Sequence, residues 1–303
     1  MRYEGWITDI DSIKVGNWSD TQAKTGCTVL LFEQGAICGV DVRGAAPGTR
    51  ETDLLRGYHL VDRVNALVLS GGSAFGLAAA DGVMHFLEER KVGFLSGQYR
   101  IPIVPAAVLY DLAVGDGGVR PDAKAGYEAC LSASSLMKEG RIGAGTGASI
   151  GKLYGPEYAS PGGVGTASVW LNDSIVVSAI MAVNAVGDVH DPKTGQRIGG
   201  CQRLGRENLP EVNPEPGGNT TIGVVATNAM LTREECNRLA EMGQDGLVLA
   251  IRPVHTPFDG DTIFGASTNE VKLPTEKMAE LFIAAAEVTA RAVQNAIWAS
   301  QEE

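Results

Sequence analysis

Short apolar runs that end at glycine constrain the fold of this chain more than any other feature. The 303 residues include 39 glycines, which cluster at the ends of Val/Ile/Leu/Ala runs. This pattern is typical of buried strands joined by tight turns. It predicts strands over residues 28–32, 35–42, 66–70, 165–171, 174–184, 222–227 and 247–251. The pattern therefore predicts a core that is rich in strands.

Four longer segments have the apolar spacing of amphipathic helices. Thr232 and Glu235 form a predicted capping box for one of them, and Gly243 is its expected left-handed terminating residue. Buried strands with helices outside them predict an α/β protein in which two sheets pack face to face between helical layers. The four predicted helices are residues 73–90, 123–137, 232–243 and 275–300.

Composition and charge exclude several classes of protein. Hydrophobic residues make up 44% of the chain and charged residues 20%, which is typical of a well-buried globular protein and not of a disordered one. Lys and Arg number 25 against 36 Asp and Glu, a net charge of −11. This charge opposes phosphate backbones and anionic membranes, so neither nucleic acid nor a membrane is expected as a partner.

The cysteines and histidines indicate neither a disulfide framework nor a metal site. Five scattered cysteines without a C-x-x-C pair favour a reducing, cytoplasmic location. The first residues have no apolar core of signal-peptide type, and no run approaches the roughly 20 apolar residues of a membrane helix. No metal or organic cofactor is predicted. The residues in question are Cys27, Cys38, Cys130, Cys201, Cys236, His59, His85, His190 and His255.

Thr220 is the candidate nucleophile. It lies between a polar, Gly- and Pro-rich segment, residues 188–218, which is predicted to be a long surface loop, and the apolar run 222–227. A cut before Thr220 would give an N-terminal threonine whose α-amino group, with an ordinary pKa of about 7.7–8.0, can serve as base for its own hydroxyl. On local sequence alone, an ordinary loop entering a strand explains the same residues.

Four further residues are candidates for the same site. Asp259 and Asp261 share one face of an extended segment, where like charges raise one pKa, although Asp-Gly is also a common turn dipeptide. Asn184 and Tyr110 each follow an apolar run, and either can donate to an oxyanion or make a structural hydrogen bond. The glycine-rich segment 143–152 has neither spacing of a nucleotide-binding loop, so nucleotide binding is not predicted.

Several motifs taken together resemble one family, the self-processing aminopeptidases of the P1 type. This family includes L-aminopeptidase/D-esterases, β-peptidyl aminopeptidases and nylon-oligomer endohydrolases. The resemblance runs nearly end to end, and several motifs in one order are more specific than any single motif. The motifs are Ile7-Thr8-Asp9-Ile10, Val15-Gly16-Asn17-Trp18, Thr25-Gly26-Cys27-Thr28-Val29, residues 69–77, Gly143-Ala144-Gly145-Thr146-Gly147, residues 163–168, residues 183–188 and Asn219-Thr220-Thr221-Ile222.

The resemblance implies a single-domain hydrolase of N-terminal-nucleophile type with four αββα layers. It implies a precursor cut between Asn219 and Thr220 into chains of residues 1–219 and 220–303, and a homotetramer. Thr220 would be the nucleophile, as in the nylon-oligomer branch of the family. The segment Asp259-Gly260-Asp261 resembles the acidic pair of that branch. The same resemblance assigns Tyr110 and Asn184 to oxyanion or substrate positioning and Lys152 to a place near the nucleophile.

Hydrolysis of a small peptide or an ω-amino-acid oligomer is therefore the leading functional hypothesis. The sequence leaves open whether the enzyme is an aminopeptidase or an endohydrolase. Acyl transfer of the ornithine acetyltransferase kind is an alternative, because those enzymes also self-process before a threonine. A non-enzymatic binding scaffold is a third hypothesis.

Overall fold

The computed structural model describes residues 2–202, 212 and 218–302. Within these ranges it contains four α-helices and sixteen strands. The helices are α1 (Ala79–Glu89), α2 (Ala123–Leu131), α3 (Arg233–Ala250) and α4 (Met278–Gln301). The strands are β1 (Ile13–Asp20), β2 (Thr25–Val42), β3 (Thr49–Arg50), β4 (Arg63–Ser70), β5 (Phe94–Ser96), β6 (Tyr99–Ile101), β7 (Ala106–Val108), β8 (Ser149–Ile150), β9 (Ser160–Pro161), β10 (Gly163–Trp170), β11 (Val176–Asn184), β12 (Asp188–His190), β13 (Arg197–Gly199), β14 (Thr220–Ala229), β15 (Ile251–Arg252) and β16 (Thr262–Val271).

Strand β2 is shared by two halves of the main sheet. The hydrogen-bonded order is β10-β11-β14-β16-β2-β4-β7-β3, with β1 also paired to β2. The first part of β2 pairs with β1 and β4, whereas its last part, residues 37–42, pairs with β16. The register of β2 against β4 shifts between Leu31 and Ala36. One half is therefore β10-β11-β14-β16-β2, and the other is β1-β2-β4-β7-β3.

Three apolar clusters fill the spaces between four layers. Alternate residues of a strand point to opposite faces, so Val224 of β14 enters the cluster between the two halves while Val225 enters the cluster under α3 and α4. Val29 of β2 similarly packs against α1 and α2. Each such buried side chain stabilises the fold by about 1.5–3 kcal/mol. The predicted α/β class with an αββα four-layer sandwich is confirmed.

The apolar run 247–251 does not form the predicted strand. Residues 247–250 are the last turn of α3, where Leu247 and Ala250 are buried and the two residues between them are about half exposed. This is the spacing of a helix with one face on a sheet. The prediction was wrong because a five-residue apolar run has no period that distinguishes a strand from a buried helical turn.

Gly243 does not terminate α3, although the capping box at its start is confirmed. The amide of Glu235 donates to Thr232 Oγ at 3.2 Å, and the Glu235 carboxylate accepts from the Thr232 amide at 2.8 Å. Gly243 lies within the helix, where a Cβ atom would lie 2.8 Å from the Ile263 side chain and 2.9 Å from that of Val225. Glycine lets α3 approach β14 and β16 closely.

Other predicted boundaries differ by a few residues. Segments 28–32 and 35–42 are parts of the single strand β2, and residues 73–78 form a 3-10 helix before α1. Helix α2 ends at Leu131, short of the predicted residue 137, because Ser134 pairs instead with Val15 of β1. The predicted loop 188–218 contains the β12–β13 pair, while its residues 203–211 and 213–217 lie outside the described residues.

Two further features of the fold are the apolarity of the described helices and the state of the cysteines. No helix in the described ranges combines the length and the apolarity needed to cross a bilayer. All five cysteines are buried and free. Burial raises the pKa of the Cys130 thiol to about 12, so this thiol is protonated at neutral pH.

Candidate active site

Residues 219–221 lie beside residues 259–261 at the entrance to two central strands. Strands β14 and β16 run parallel with Ile222 opposite Thr262, and a further bridge joins Asn219 to Asp259 with the same offset. This register brings Gly260 next to Thr220. The parallel pairing therefore places the predicted acidic pair beside the predicted nucleophile, although 40 residues separate them in sequence.

The hydroxyl of Thr220 lies against the peptide that precedes it. Thr220 is only 3% exposed, and its Oγ donates to the carbonyl oxygen of Asn219. The amide of Gly260 donates to the same oxygen at 3.1 Å. A Cβ atom on Gly260 would lie 2.3 Å from the carbonyl oxygen of Ala46, so a side chain there would force the backbone to move. Glycine thus keeps a backbone donor aimed at the Asn219 carbonyl.

Asp261 connects the strand start to His255. One carboxylate oxygen accepts the amide of Thr221 at 2.7 Å. The other lies 2.8 Å from Nδ1 of His255 and accepts the His255 amide at 3.3 Å. His255 has a positive φ of 56°, which is uncommon for a residue other than glycine. The sequence analysis considered His255 only as a possible metal ligand and so missed its place in this site. The available signal was that His255 lies six residues before Asp261.

Asp259 is a buried carboxyl with a perturbed pKa. Burial, and next the negative charge of Asp261, raise the pKa of Asp259 from 3.8 to about 6. Hydrogen bonds from the Thr256 amide at 2.7 Å and the Thr256 hydroxyl, together with the positive charge of Lys152, limit this rise. Near neutral pH, Asp259 therefore titrates in a range useful for proton transfer.

Replacing Asp259 by asparagine is expected to stabilise the fold at pH 7 and to have little effect near pH 4. Because the folded-state pKa is raised, the wild-type carboxyl favours folding below about pH 3.8, and this contribution is lost as the pH rises through about 6. The rise in the pKa from 3.8 to about 6 corresponds to about 3 kcal/mol in the free energy of unfolding. Denaturant unfolding at several pH values measures it, with both proteins carrying Thr220→Val to keep the chain in one piece. Equal gains at pH 4 and pH 7 would contradict the assignment.

Lys152 and Asn184 form the opposite wall of the site. Asn184 is the last residue of β11 and lies opposite Thr220 in the antiparallel register. The Nζ of Lys152 donates to Oδ1 of Asn184 at 2.9 Å, to the main-chain oxygen of Asn184 at 3.1 Å and to that of Gly218 at 2.9 Å. Both side chains are buried. Lys152 thereby fixes the segment that leads into Asn219.

Tyr110 and Asp111 join this wall from the second half of the sheet. The Nδ2 of Asn184 donates to the main-chain oxygen of Tyr110 at 3.0 Å. Asp111 is buried and accepts the amide of Gly72 at 2.7 Å. Burial raises the pKa of the Asp111 carboxyl, while its hydrogen bonds and the charge of Lys152 act in the opposite direction. Sequence analysis missed Asp111, whose position directly after Tyr110 was its only signal.

All the predicted site residues meet in one connected region. Asn219 and Thr220 contact the acidic segment on one side and face Asn184 on the other. A cavity of about 280 Å³ lies at this wall, lined in part by Tyr110, Lys152 and Gly218. A hydroxyl and a backbone donor at one carbonyl, with a carboxyl of raised pKa nearby, suit acyl chemistry. The individual roles of Thr220, Asn184, Lys152, Asp259, Asp261 and Tyr110 stay predictions.

The chain belongs to peptidase family S58, whose sequence profile matches residues 6–302. An uncharacterized aminopeptidase of Mycobacterium tuberculosis is 42% identical over 300 residues, covering 89% of this chain and 83% of that protein. A 6-aminohexanoate-oligomer endohydrolase of Kocuria sp. is 33% identical over 285 residues, covering 88% and 76%. The resemblance found in the sequence is confirmed. The family match supports the coarse class, an amide hydrolase, and does not favour the acyl-transfer alternative.

Solved structures share the fold, and two of them are aminopeptidases. A beta-aminopeptidase of Burkholderia sp. superposes with a TM-score of 0.76 at 21% identity, covering 99% of this chain and 88% of that one. The L-aminopeptidase d-Ala-esterase/amidase of Ochrobactrum anthropi, described as a variant of the Ntn hydrolase fold, gives 0.76 at 20% identity, covering 99% and 87%. At these identities the likeness shows the fold, which is that of the Ntn hydrolases.

Proposed function

We propose that this protein is an amide hydrolase that cuts its own chain before Thr220 and then uses Thr220 as an N-terminal nucleophile. The observation that carries the proposal is the contact between the Thr220 hydroxyl and the Asn219 carbonyl, whose oxygen also accepts the amide of Gly260. A nucleophile beside a carbonyl that is already hydrogen-bonded is the arrangement that acyl transfer requires.

Self-cleavage then proceeds in two balanced steps. The Thr220 oxygen attacks the carbonyl carbon of Asn219, the hydroxyl proton passes to the departing nitrogen, and the peptide bond becomes an ester. Water hydrolyses the ester, which leaves a carboxylate on Asn219 and a free amino group on Thr220. The amide of Gly260 is placed to stabilise the oxyanion in both steps, and loss of one such donor typically slows a reaction by about 100- to 1,000-fold.

Turnover of a substrate uses the same residues. The freed amino group of Thr220 takes the proton of its own hydroxyl, and the hydroxyl oxygen attacks the carbonyl carbon of the substrate amide. The C–N bond breaks, the amine leaves with that proton, and water hydrolyses the acyl-enzyme to the free acid and regenerates the Thr220 hydroxyl. Asn184 and Tyr110 are the proposed positioning or oxyanion residues on the far wall, and Lys152 holds Asn184 in place. Asp261 positions the strand start through the Thr221 amide.

Small peptides and ω-amino-acid oligomers are the proposed substrates. The names of two relatives, an aminopeptidase and a 6-aminohexanoate-oligomer endohydrolase, support this range. The proposal requires no metal or organic cofactor, because one threonine supplies both nucleophile and base. A cytoplasmic homotetramer made of one domain per chain completes the proposal.

Intact mass spectrometry under denaturing conditions, with N-terminal sequencing, tests the self-cleavage. We expect one chain of 219 residues and one of 84 residues that begins Thr-Thr-Ile-Gly. Purified precursor should convert at a rate independent of protein concentration, since the reaction is intramolecular. A single 303-residue chain after long incubation would contradict the proposal and favour a binding scaffold. Release of free acid, even with an added amine acceptor, would separate hydrolysis from acyl transfer.

A further inference from the structure

The loop between β15 and β16, residues 253–261, is held together by its own side chains. Each of its two aspartates contacts a residue earlier in the loop. Asp259 accepts the amide of Thr256 at 2.7 Å, and the Asp259 amide donates to the Thr256 carbonyl at 3.1 Å. One oxygen of Asp261 lies 2.8 Å from Nδ1 of His255. The acidic pair therefore orders the loop that carries it.

His255 makes the contacts of a group that holds a carboxylate. Its side chain is 15% exposed, and that of Asp261 is 1% exposed. A carboxylate only accepts hydrogen bonds, so the contact with Asp261 places a proton on Nδ1 of the imidazole ring. The amide of His255 donates to the same carboxylate oxygen at 3.3 Å. Two donors of one residue thus fix one oxygen of Asp261.

The other ring nitrogen of His255 is enclosed by the protein. Nε2 is buried and has no hydrogen-bond partner among the residues that the structure describes. A general acid or base must lie within hydrogen-bond reach of the proton that it moves. The enclosed Nε2 does not meet this requirement, and Nδ1 is already bound to Asp261. His255 therefore acts on Asp261 and not on a substrate.

The backbone of His255 has a conformation that the surrounding structure must impose. Its φ of 56° lies in the left-handed region, which few residues other than glycine and asparagine adopt. Such conformations cluster at active sites, where other contacts stabilise them. In this conformation the amide and Nδ1 of His255 converge on one oxygen of Asp261.

Asp261 carries this constraint to the proposed nucleophile. Its second oxygen accepts the amide of Thr221 at 2.7 Å. That amide belongs to the peptide unit that links Thr220 to Thr221. After the proposed cut, Thr220 is the first residue of its chain, and a chain end is poorly ordered unless a contact holds it. The hydrogen bond to Asp261 is such a contact.

We propose that His255 is a positioning residue for Thr220. His255 fixes the orientation of Asp261, and Asp261 fixes the first peptide unit of β14, so that the Thr220 hydroxyl stays aligned with the carbonyl that it attacks. The proposal rests on the proposed function of Thr220. A displacement of about 1 Å slows a reaction by about 100-fold, so a small rotation of the Asp261 carboxylate is sufficient for a large effect.

His255→Gly and His255→Asn are the matched variants that test this role. Glycine and asparagine both adopt positive φ readily, but only asparagine has a side-chain N–H at the position of Nδ1. We expect His255→Gly to lower the rate of self-cleavage and the kcat of the cut enzyme by about 10- to 100-fold. KM should change little, because the nucleophile and not the binding of substrate is affected. His255→Asn should restore most of both rates.

Amide hydrogen exchange in the uncut Thr220→Val protein measures the same contact without any reaction. We expect the Thr221 amide to exchange about 10- to 100-fold faster when His255→Gly is added, and near its starting rate with His255→Asn. The amide of Val225, which lies deeper in β14, should keep its exchange rate, which shows that the strand stays folded. His85→Asn is the control, since His85 is an exposed histidine of α1 beside Glu89.

The two measurements separate failure of this inference from failure of the hydrolase proposal. Wild-type rates in His255→Gly, or equal losses of rate in His255→Gly and His255→Asn, overturn the role of His255 and leave the function of Thr220 intact. Unchanged exchange of the Thr221 amide in the glycine variant also overturns it. A wild-type protein that is neither cut nor active contradicts the hydrolase proposal, whereas faster exchange that His255→Asn reverses still supports the hold of His255 on Asp261.

Discussion

Replacing Thr220 by valine is expected to leave an uncut chain of 303 residues without amide hydrolase activity. Valine has nearly the shape of threonine and no hydroxyl, so the substitution removes the proposed nucleophile of both reactions without opening a cavity. Removal of a nucleophile typically lowers kcat by about a millionfold. Intact mass spectrometry reports the cut, and p-nitroanilide hydrolysis reports turnover.

Thr221→Val is the matched control for this experiment. Thr221 is the adjacent residue of the same strand, and its Oγ is buried without a hydrogen-bond partner among the described residues. Loss of that hydroxyl is expected to leave folding and processing nearly unchanged. Thr220→Ser, which keeps the hydroxyl, should still be cut. Cleavage of the Thr220→Val chain at the same bond would overturn the assignment of the nucleophile.

Replacing Lys152 by methionine is expected to slow self-cleavage by about 100-fold or more. Methionine has a similar length but cannot donate to Asn184 and Gly218, so the wall opposite Thr220 loses the group that orders it. Loss of the nearby positive charge also raises the pKa of Asp259 further above 6, because Lys152 now lowers it. Because a carboxyl can accept a proton during the reaction only in its ionised form, participation of Asp259 as a base would make the rate of processing fall most at slightly acidic pH. Time courses of intact mass at several pH values measure this shift.

A structural contribution of Lys152 can be separated from its effect on the reaction. Buried acceptors that lose their donor reduce stability by about 1–3 kcal/mol each. Denaturant unfolding of the uncut Thr220→Val protein, with and without Lys152→Met, gives this loss directly. Lys124→Met is the control, since Lys124 is a largely exposed lysine near Glu128. Processing of a folded Lys152→Met chain at the wild-type rate and pH dependence would contradict the role proposed for Lys152.

The layers of the fold could be predicted because burial on both faces leaves a clear pattern in the sequence. Strand β14 is apolar or small almost throughout, and all of its residues are buried. Strand β2 shows the limit of such prediction. Its polar interruption near residues 33–35 suggests two strands, whereas the chain continues as one strand that passes from one half of the sheet to the other. That passage depends on pairing between distant segments.

The site could be predicted only in part for a related reason. Thr220 and the acidic pair stand out by type and spacing, but their proximity depends on the parallel register of β14 and β16. Gly260 acts through its backbone amide, and a glycine between two aspartates looks like an ordinary turn in the sequence. His255 lies in a loop without a motif, and only the structure shows its contact with Asp261.

The proposed cut would change the molecularity of the unfolding reaction of this protein. Residues 220–303 contain β14, which pairs with β11 on one side and β16 on the other, and the helices that cover this half of the sheet. Breaking one peptide bond before β14 removes none of these contacts, so the two chains stay together. Once unfolded, however, the two chains separate, and their reassembly is a bimolecular reaction. The midpoint of the unfolding transition therefore depends on protein concentration. Maturation would thus turn a folding equilibrium within one chain into an association between two.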